Sequence, residues 1–182
     1  MSAHRLITAE ELERMGTPDG NCELVRGVLV PVNPPGPVQG DLAVRIASAL
    51  RAFVRPRRLG TVYVETGYIL ERDPDTVRGP DVSFLSRERA EALGSRGYVS
   101  NGPDLAVEIR SPDQTLAQLS AKLREYLNAG TRLAWLVDPH SRTVRVFEPK
   151  RPTRVLRIGD VLEGGNVLPG FSLSVTELFA EE

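Results

Sequence analysis

Two short apolar segments of this 182-residue chain each carry a carboxylate in a position suited to metal binding. Asp81 precedes the run Val82-Ser83-Phe84-Leu85, and Glu108 lies within Leu105-Ala106-Val107-Glu108-Ile109. Neighbouring strands lie about 4.8 Å apart, so the two carboxylates come together if these segments pair as strands. Two carboxylates at that spacing can hold Mg²⁺ or Mn²⁺ through oxygen, with water as the remaining ligands.

Spacing also decides which aspartate can partner Glu108. The dipeptide Pro-Asp occurs five times, so it identifies nothing by itself. Asp104 lies four residues before Glu108 on the same strand, which at ~3.3 Å per residue separates their Cα atoms by about 13 Å. That is too far to share one ion, and Asp81 is therefore the predicted partner.

A cation is also needed, to orient an attacking water and to offset the charge of a phosphorane-like transition state. Arg110 projects from the same strand face as Glu108, but a guanidinium keeps its proton and serves better as an anion clamp. Lys122 lies about 40° beyond Tyr126, at the edge of the apolar stripe of a predicted helix. There it can bury its stem and direct its amine over the sheet. We predict Lys122 as the catalytic cation and Arg110 as a substrate contact or a structural residue.

The same residues have simpler explanations. Glu108 with Arg110 or Lys122 is equally well explained as a salt bridge on a half-solvated strand face. Asp81, after a proline, is typical of a turn that begins a strand. Lys122 and Tyr126 also fit a helix edge that merely packs. The residue pattern alone leaves these alternatives open.

Composition limits the class of protein. Hydrophobic residues make up 41% and charged residues 26%, as in soluble globular proteins, and the length suits one domain. A net charge of -1 excludes a uniformly basic nucleic-acid-binding surface. The sequence shows neither a membrane-spanning run nor a signal-peptide pattern, which predicts a cytoplasmic protein without a membrane partner. The single cysteine, Cys22, excludes an internal disulfide and a cysteine zinc site.

Periodicity and capping signals predict the elements that position these residues. A helix begins at the capping box from Thr8 to Glu11, and a hairpin turns at Arg26-Gly27. A Pro/Gly-rich loop at 31–40 precedes a helix from Asp41 to Pro56. The helix carrying Lys122 follows a break at 111–113 and ends at Gly130. Short helices are also predicted at 87–93 and 176–179.

The predicted strands outnumber the helices. Residues 133–137 are apolar on both faces, which predicts a buried central strand. The expected fold class is mixed α/β or α+β around a single sheet. The other predicted strands are 61–70 with a bend at Gly67, 80–85, 105–109, 143–147 and 154–158.

The order of these motifs resembles the Uma-two family of restriction endonucleases, a branch of the PD-(D/E)XK nuclease superfamily. The resemblance spans about residues 8–179 of one domain, 1–182. It is carried by Glu23-Leu24-Val25-Arg26-Gly27, Gly79-Pro80-Asp81-Val82, Pro103 to Glu108 with Ser111-Pro112, Lys122 with Tyr126 and Gly130, Trp135 to Pro139, and Pro169-Gly170-Phe171.

The resemblance implies a restriction-endonuclease-like core, a mixed sheet flanked by helices, with magnesium bound by Asp81 and Glu108. It also implies DNA as the substrate and a homodimer as the assembly. The superfamily lysine position, two residues after the glutamate, holds Arg110 here. The resemblance is to branches whose lysine has moved to the next helix, which again selects Lys122. Glu23 matches an acidic residue near the start of the family pattern and is an expected further member of the catalytic site.

One departure concerns Gln39-Gly40, where relatives often have His-Gly, and it makes Gln39 a candidate substrate contact. This departure and the near-neutral charge favour a rival hypothesis, a nuclease fold kept as a nucleic-acid-binding or regulatory module without turnover. A third hypothesis is an RNA or nucleotide hydrolase that uses the same residues.

Overall fold

A computed structural model describes residues 5–16, 22–94 and 97–180. In chain order its elements are α1 (Ala9–Met15), β1 (Cys22–Val25), β2 (Val28–Pro31), α2 (Pro37–Arg57), β3 (Gly60–Val64), β4 (Tyr68–Glu71), β5 (Thr76–Arg78), β6 (Val82–Ser86), α3 (Arg87–Glu91), β7 (Val99–Ser100), β8 (Leu105–Ile109), α4 (Leu116–Asn128), β9 (Leu133–Asp138), β10 (Thr143–Phe147), β11 (Arg154–Leu156), β12 (Val161–Glu163), β13 (Ser172–Ser174) and α5 (Val175–Leu178).

A six-stranded sheet forms the centre of the protein, in the order β11-β10-β9-β8-β6-β3. Strands β8 and β9 are parallel, as expected for two strands joined by the crossover helix α4, and the other pairs are antiparallel. Every residue of β8 and β9 is buried. The sheet is therefore mixed, and its two central strands are covered on both faces.

Two helices cover opposite faces of this sheet. Helix α2 packs Leu42, Ile46 and Leu50 into the larger apolar cluster, which also contains Trp135 and Phe171. Helix α4 supplies the second cluster, in which Leu119, Leu123 and Tyr126 contact Ala106, Ala134 and Leu136. This second face also carries Glu108, because Glu108 alternates with Val107 along β8.

A second sheet, in the order β2-β1-β5-β4-β7, lies beside the first. The prediction of one strand over 61–70 is wrong, because β3 belongs to the first sheet and β4 to the second. Between them Glu65 adopts a left-handed φ of 49°, and a side chain at Gly67 would collide with the ring of Tyr98. The prediction of a single sheet is also wrong, since the strands of the described residues form three sheets, the third being the antiparallel pair β12-β13.

Two helix starts differ from the sequence prediction. Helix α2 begins at Pro37 instead of Asp41, since proline at the first helical position needs no amide donor and already has a helical φ. This places Gln39 in the first turn. Helix α4 begins after Thr115, whose hydroxyl accepts from the Gln118 amide in a capping box. None of the described helices is both long and apolar enough to cross a membrane.

Candidate active site

Strand pairing brings Asp81 beside Glu108. Strands β6 and β8 pair with Val82 opposite Val107, and the same register continued by one residue sets Asp81 opposite Glu108. The Asp81 carboxylate also accepts a hydrogen bond from the Ile109 amide at 2.6 Å. The side chain of Asp81 is thereby bonded to the strand that carries Glu108.

Both carboxyl groups have raised pKa values. Burial is the main cause at Asp81 and raises its pKa to about 6, although the Ile109 amide and Lys122 oppose the shift. Burial likewise raises the pKa of Glu108 to about 7, against the opposing charge of Lys122, and the Asp81 charge adds to the rise. The two carboxylates therefore repel each other in a poorly solvated place, which is the condition that a bound cation relieves.

Lys122 lies between two carboxylates. Its Nζ is 2.8 Å from Glu108 Oε1 and 2.8 Å from Glu23 Oε1. Burial lowers the pKa of Lys122, but the two carboxylates outweigh burial and hold its pKa above the ordinary value. The Tyr126 hydroxyl, one turn further along α4, donates to the same Glu108 oxygen at 3.1 Å. Lys122 is thus a charged ammonium in direct contact with Glu108.

The half-solvated strand face considered for Glu108 is not observed. Glu108 is only 3% exposed, and its ion pair is with Lys122 on α4 instead of Arg110 on its own segment. A buried ion pair carries a large desolvation cost and is weak evidence of a role in stability. Burial therefore makes an ordinary surface salt bridge a poor explanation of this pair.

The donor set fits a two-carboxylate metal site. Asp81 Oδ2 is taken by the Ile109 amide, and Glu108 Oε1 by Lys122 and Tyr126. Among the described residues, the other oxygen of each carboxylate accepts no hydrogen bond. These are two hard oxygen ligands of the kind that magnesium takes together with water. Within residues 5–16, 22–94 and 97–180, no cluster of three or more Asp, Glu, His or Cys side chains forms a fuller ligand set.

Glu23 joins the site from the second sheet. Its Oε1 accepts from Lys122 and from the Gly79 amide at 3.2 Å, and its Oε2 accepts from Arg78 at 2.7 Å. Burial raises the pKa of Glu23, but the charges of Lys122 and Arg78 more than offset burial, and its pKa lies below the ordinary value. Glu23 therefore stays ionised and is the second carboxylate in contact with Lys122.

Gln39 and Arg110 both already have protein partners. Gln39 Nε2 donates to the main-chain oxygen of Ile109 at 2.9 Å, which places this side chain next to the strand end that carries Glu108. Arg110 lies beyond the end of β8, and its guanidinium bonds Asp138 at 3.2 Å and the Gln114 carbonyl at 2.9 Å. Arg110 is therefore engaged in holding the chain after β8.

Replacing Asp138 with asparagine should test that structural role. Asp138 is 1% exposed, and its pKa is lowered because hydrogen bonds from Ser141 and Arg110 outweigh burial. A lowered folded-state pKa stabilises the fold above the unfolded value of 3.8 and stops doing so as the pH falls through the folded value. We expect the variant to lose about 1–3 kcal/mol of unfolding free energy at pH 7, and the difference to shrink at acid pH. Urea unfolding at both pH values measures it.

The matched control is Asp41→Asn, whose carboxylate is 52% exposed in an ion pair with Arg45. Exposed pairs contribute little, so this variant should unfold like the wild type. A loss for Asp138→Asn that stays constant down to acid pH would contradict the assigned role.

The surroundings of Asp104 agree with the prediction that it does not share a metal ion with Glu108. Asp104 is 4% exposed and accepts from the Ser86 amide at 2.7 Å and from Arg132 at 2.9 Å. These bonds tie the start of β8 to the end of β6 and the start of β9. Asp104 is thus a structural carboxylate at the opposite end of β8 from Glu108.

Two site residues were not assigned from the sequence. Helical spacing predicts that Tyr126 packs in an apolar stripe, yet its buried hydroxyl donates to Glu108; the spacing of four residues from Lys122 is the signal that the sequence offers. Arg78 contacts Glu23 and Glu125, which are distant in sequence. No sequence pattern pointed to these contacts.

Comparisons with known proteins agree with this arrangement of elements. The model of the Uma2 family, described as "Putative restriction endonuclease", matches residues 9–176. A crystal structure from Anabaena variabilis ATCC 29413, named a "putative nuclease belonging to DUF820", superposes with a TM-score of 0.83 at 24% identity and covers 95% of this chain and 97% of that chain. No curated protein matches the sequence. The resemblance found in the sequence and the mixed α+β nuclease fold are both confirmed.

Proposed function

This chain belongs to the Uma2 family, and from that premise we propose that it is a metal-dependent endonuclease that hydrolyses phosphodiester bonds in DNA with Mg²⁺ or Mn²⁺. The observation that carries the proposal is the contact of the Lys122 ammonium with Glu108, at 2.8 Å, next to Asp81. Two carboxylates, each with one oxygen that accepts no hydrogen bond from the described residues, and one fixed cation suit phosphoryl transfer, in which catalysis depends mainly on positioning and charge stabilisation.

Asp81 and Glu108 would hold the divalent ion, and the bound ion would supply Lewis-acid polarisation of the phosphodiester. Lys122 would orient the attacking water and stabilise negative charge on the phosphoryl oxygens. Tyr126 keeps Glu108 in place through its hydroxyl, at 3.1 Å. Glu23 would act from the periphery by holding Lys122. Arg110 and Gln39 are the proposed substrate contacts nearest to the end of β8, and to bind substrate they would exchange their bonds to Asp138 and to the Ile109 carbonyl for bonds to it.

Incubation with plasmid DNA tests the proposal. We expect nicked or linear product with Mg²⁺ or Mn²⁺ and none with a chelator. Asp81→Asn should reduce cleavage by about 100-fold or more, because it removes a charged metal ligand while keeping the shape of the side chain. Asp160→Asn, a substitution of the same kind at an exposed position, should cleave like the wild type. Equal cleavage by wild type and Asp81→Asn would refute the assignment.

Further measurements on the same protein distinguish the rival hypotheses. Calorimetry that detects no uptake of Mg²⁺ or Mn²⁺ at millimolar concentration would favour a binding or regulatory module, which the presence of Gln39 in place of a histidine also favours. Matched DNA and RNA oligonucleotides distinguish the substrate. The resemblance to enzymes that cut both strands of DNA, which often act as dimers, supports the proposed homodimer, and light scattering gives its mass.

A further inference from the structure

Three ion pairs link four charged side chains beside the candidate site, and we call these four side chains the charge ring, because the backbone of α4 joins its two ends. It passes from Lys122 to Glu23 at 2.8 Å, from Glu23 to Arg78 at 2.7 Å, and from Arg78 to Glu125 at 2.8 Å. Glu125 is three residues after Lys122 on α4, so one turn of that helix closes the ring. Positive and negative charges alternate around it.

Arg78 makes most of the contacts in the ring. Its Nη1 donates to Glu23 Oε2, while its Nε and Nη2 donate to the two oxygens of Glu125 at 2.8 and 3.1 Å. The side chain of Arg78 is only 13% exposed. A guanidinium that binds one carboxylate through two parallel bonds fixes orientation as well as distance, which a lysine cannot do.

The charge ring connects the second sheet to helix α4, which packs on the first sheet. Arg78 ends β5 and Glu23 lies on β1, both in the second sheet, whereas α4 packs on the first sheet. Because Lys122 and Glu125 lie on one turn, a fixed Glu125 sets both the rotation and the height of the turn that carries Lys122. Arg78 thus acts on the position of Lys122 through two contacts.

The charges of the ring also affect how Lys122 divides its contacts between Glu23 and Glu108. Glu23 is 11% exposed and receives charge from Arg78 as well as from Lys122. Without Arg78, Lys122 would be the remaining cation on Glu23 among the described residues, and a buried carboxylate would attract it strongly. With Arg78 present, Nζ of Lys122 lies at 2.8 Å from both Glu23 and Glu108. The second cation therefore leaves Lys122 in contact with Glu108.

We propose that Arg78 is a positioning residue, which holds Lys122 against Glu108 by neutralising Glu23 and anchoring Glu125. The proposal rests on the proposed function in one respect, namely that Lys122 is the catalytic cation. Its structural content, the placement of the lysine ammonium, can be measured without cleavage.

The ammonium groups themselves provide the test, since Lys122 and Lys150 are the only lysines in the chain. In tag-free protein with ¹⁵Nζ-labelled lysine, the buried Lys122 should give a slowly exchanging signal that is distinct from that of the exposed Lys150. In Arg78→Gln we expect the Lys122 signal to move and its proton exchange to accelerate, with Lys150 unchanged. Arg78→Lys, which keeps the charge without the paired contacts, should restore the signal only in part.

Cleavage is the second readout. Arg78→Gln should lower cleavage by about 10- to 100-fold, the usual effect of losing a residue that orients a site residue without touching the substrate. The control is Arg87→Gln, whose arginine is in an exposed ion pair with Glu91 and whose loss should have no effect. If Arg78→Gln does not fold, Glu125→Gln decides the question with the same lysine signal. An unchanged Lys122 signal in a folded variant overturns the proposal. A displaced signal supports it even if the wild type cuts no DNA, which would refute only the proposed function.

Discussion

Replacing Glu108 with glutamine is expected to abolish cleavage while leaving the protein folded. The substitution removes one of the two proposed metal ligands, and metal ions contribute several kcal/mol to such reactions, so activity should fall by about 100-fold or more. Glutamine has the same shape and can still accept the hydrogen bond from Tyr126. The loss should therefore be confined to metal binding and catalysis.

Stability should respond differently from activity in this variant. Glu108 is 3% exposed. Burying its negative charge costs more free energy than burying the neutral amide of glutamine. Lys122 keeps its second carboxylate partner, Glu23, at 2.8 Å. We expect the unfolding free energy of Glu108→Gln to lie within about 1.5 kcal/mol of the wild type, because neutral replacements of buried charges are often tolerated.

Three measurements on one preparation test this pair of expectations. They are plasmid cleavage, calorimetric titration with Mn²⁺ and urea unfolding. Glu91→Gln is the matched control, since Glu91 is 64% exposed and lies on α3, in an ion pair with Arg87. A Glu108→Gln protein that binds Mn²⁺ and cleaves as well as the wild type would remove Glu108 from the proposed site.

Replacing Lys122 with methionine is expected to cost both activity and stability. Methionine fills the space of the lysine stem but leaves Glu108 without its cation in a buried place, which typically destabilises by about 3–5 kcal/mol. Cleavage should fall by about 100- to 1000-fold, the usual effect of losing one stabilising group at a developing charge. Cleavage assays and urea unfolding measure the two losses.

A double variant separates the two effects of Lys122. Adding Glu108→Gln to Lys122→Met removes the uncompensated carboxylate, so most of the lost stability should return while cleavage remains absent. Lys150→Met, at the other lysine, is the matched control and should behave as the wild type. If Lys122→Met alone unfolds at the wild-type urea concentration, the ion pair with Glu108 does not have the energetic role assigned to it.

Local signals in the sequence were enough for the elements that carry the site. The capping box at Thr8 and the hairpin at Arg26-Gly27 formed as expected, because both depend on residues next to each other in the chain. The apolar run from Leu133 became the buried strand β9 for the same reason. Helical spacing also predicted that Lys122 would lie at the edge of α4, over the sheet.

The placement of β3 and β4 in different sheets was decided by tertiary contacts. The sequence of β3 and β4 reads as one strand, and only the partners of each strand assign them to different sheets. Strand partners are distant in sequence, so strand propensity carries little information about them. The Pro/Gly content of residues 31–40 predicts a loop, but Pro37 is also a favoured first residue of a helix, and α2 begins there.

Within the candidate site, the sequence by itself determined which residues could meet. Strand spacing excludes Asp104 and selects Asp81 as the partner of Glu108, and helical spacing predicts that Lys122 lies over the sheet. In the fold, Lys122 contacts Glu108, and Asp81 is bonded to the strand that carries Glu108. Only the tertiary structure decided what surrounds them. The charge ring through Arg78 and the hydrogen bond from Tyr126 depend on how α4 packs between two sheets. Arg110 pairs with Asp138 because β8 ends at Ile109, before Arg110. Local periodicity predicts the face on which a side chain lies, whereas its charged partners depend on packing between distant segments.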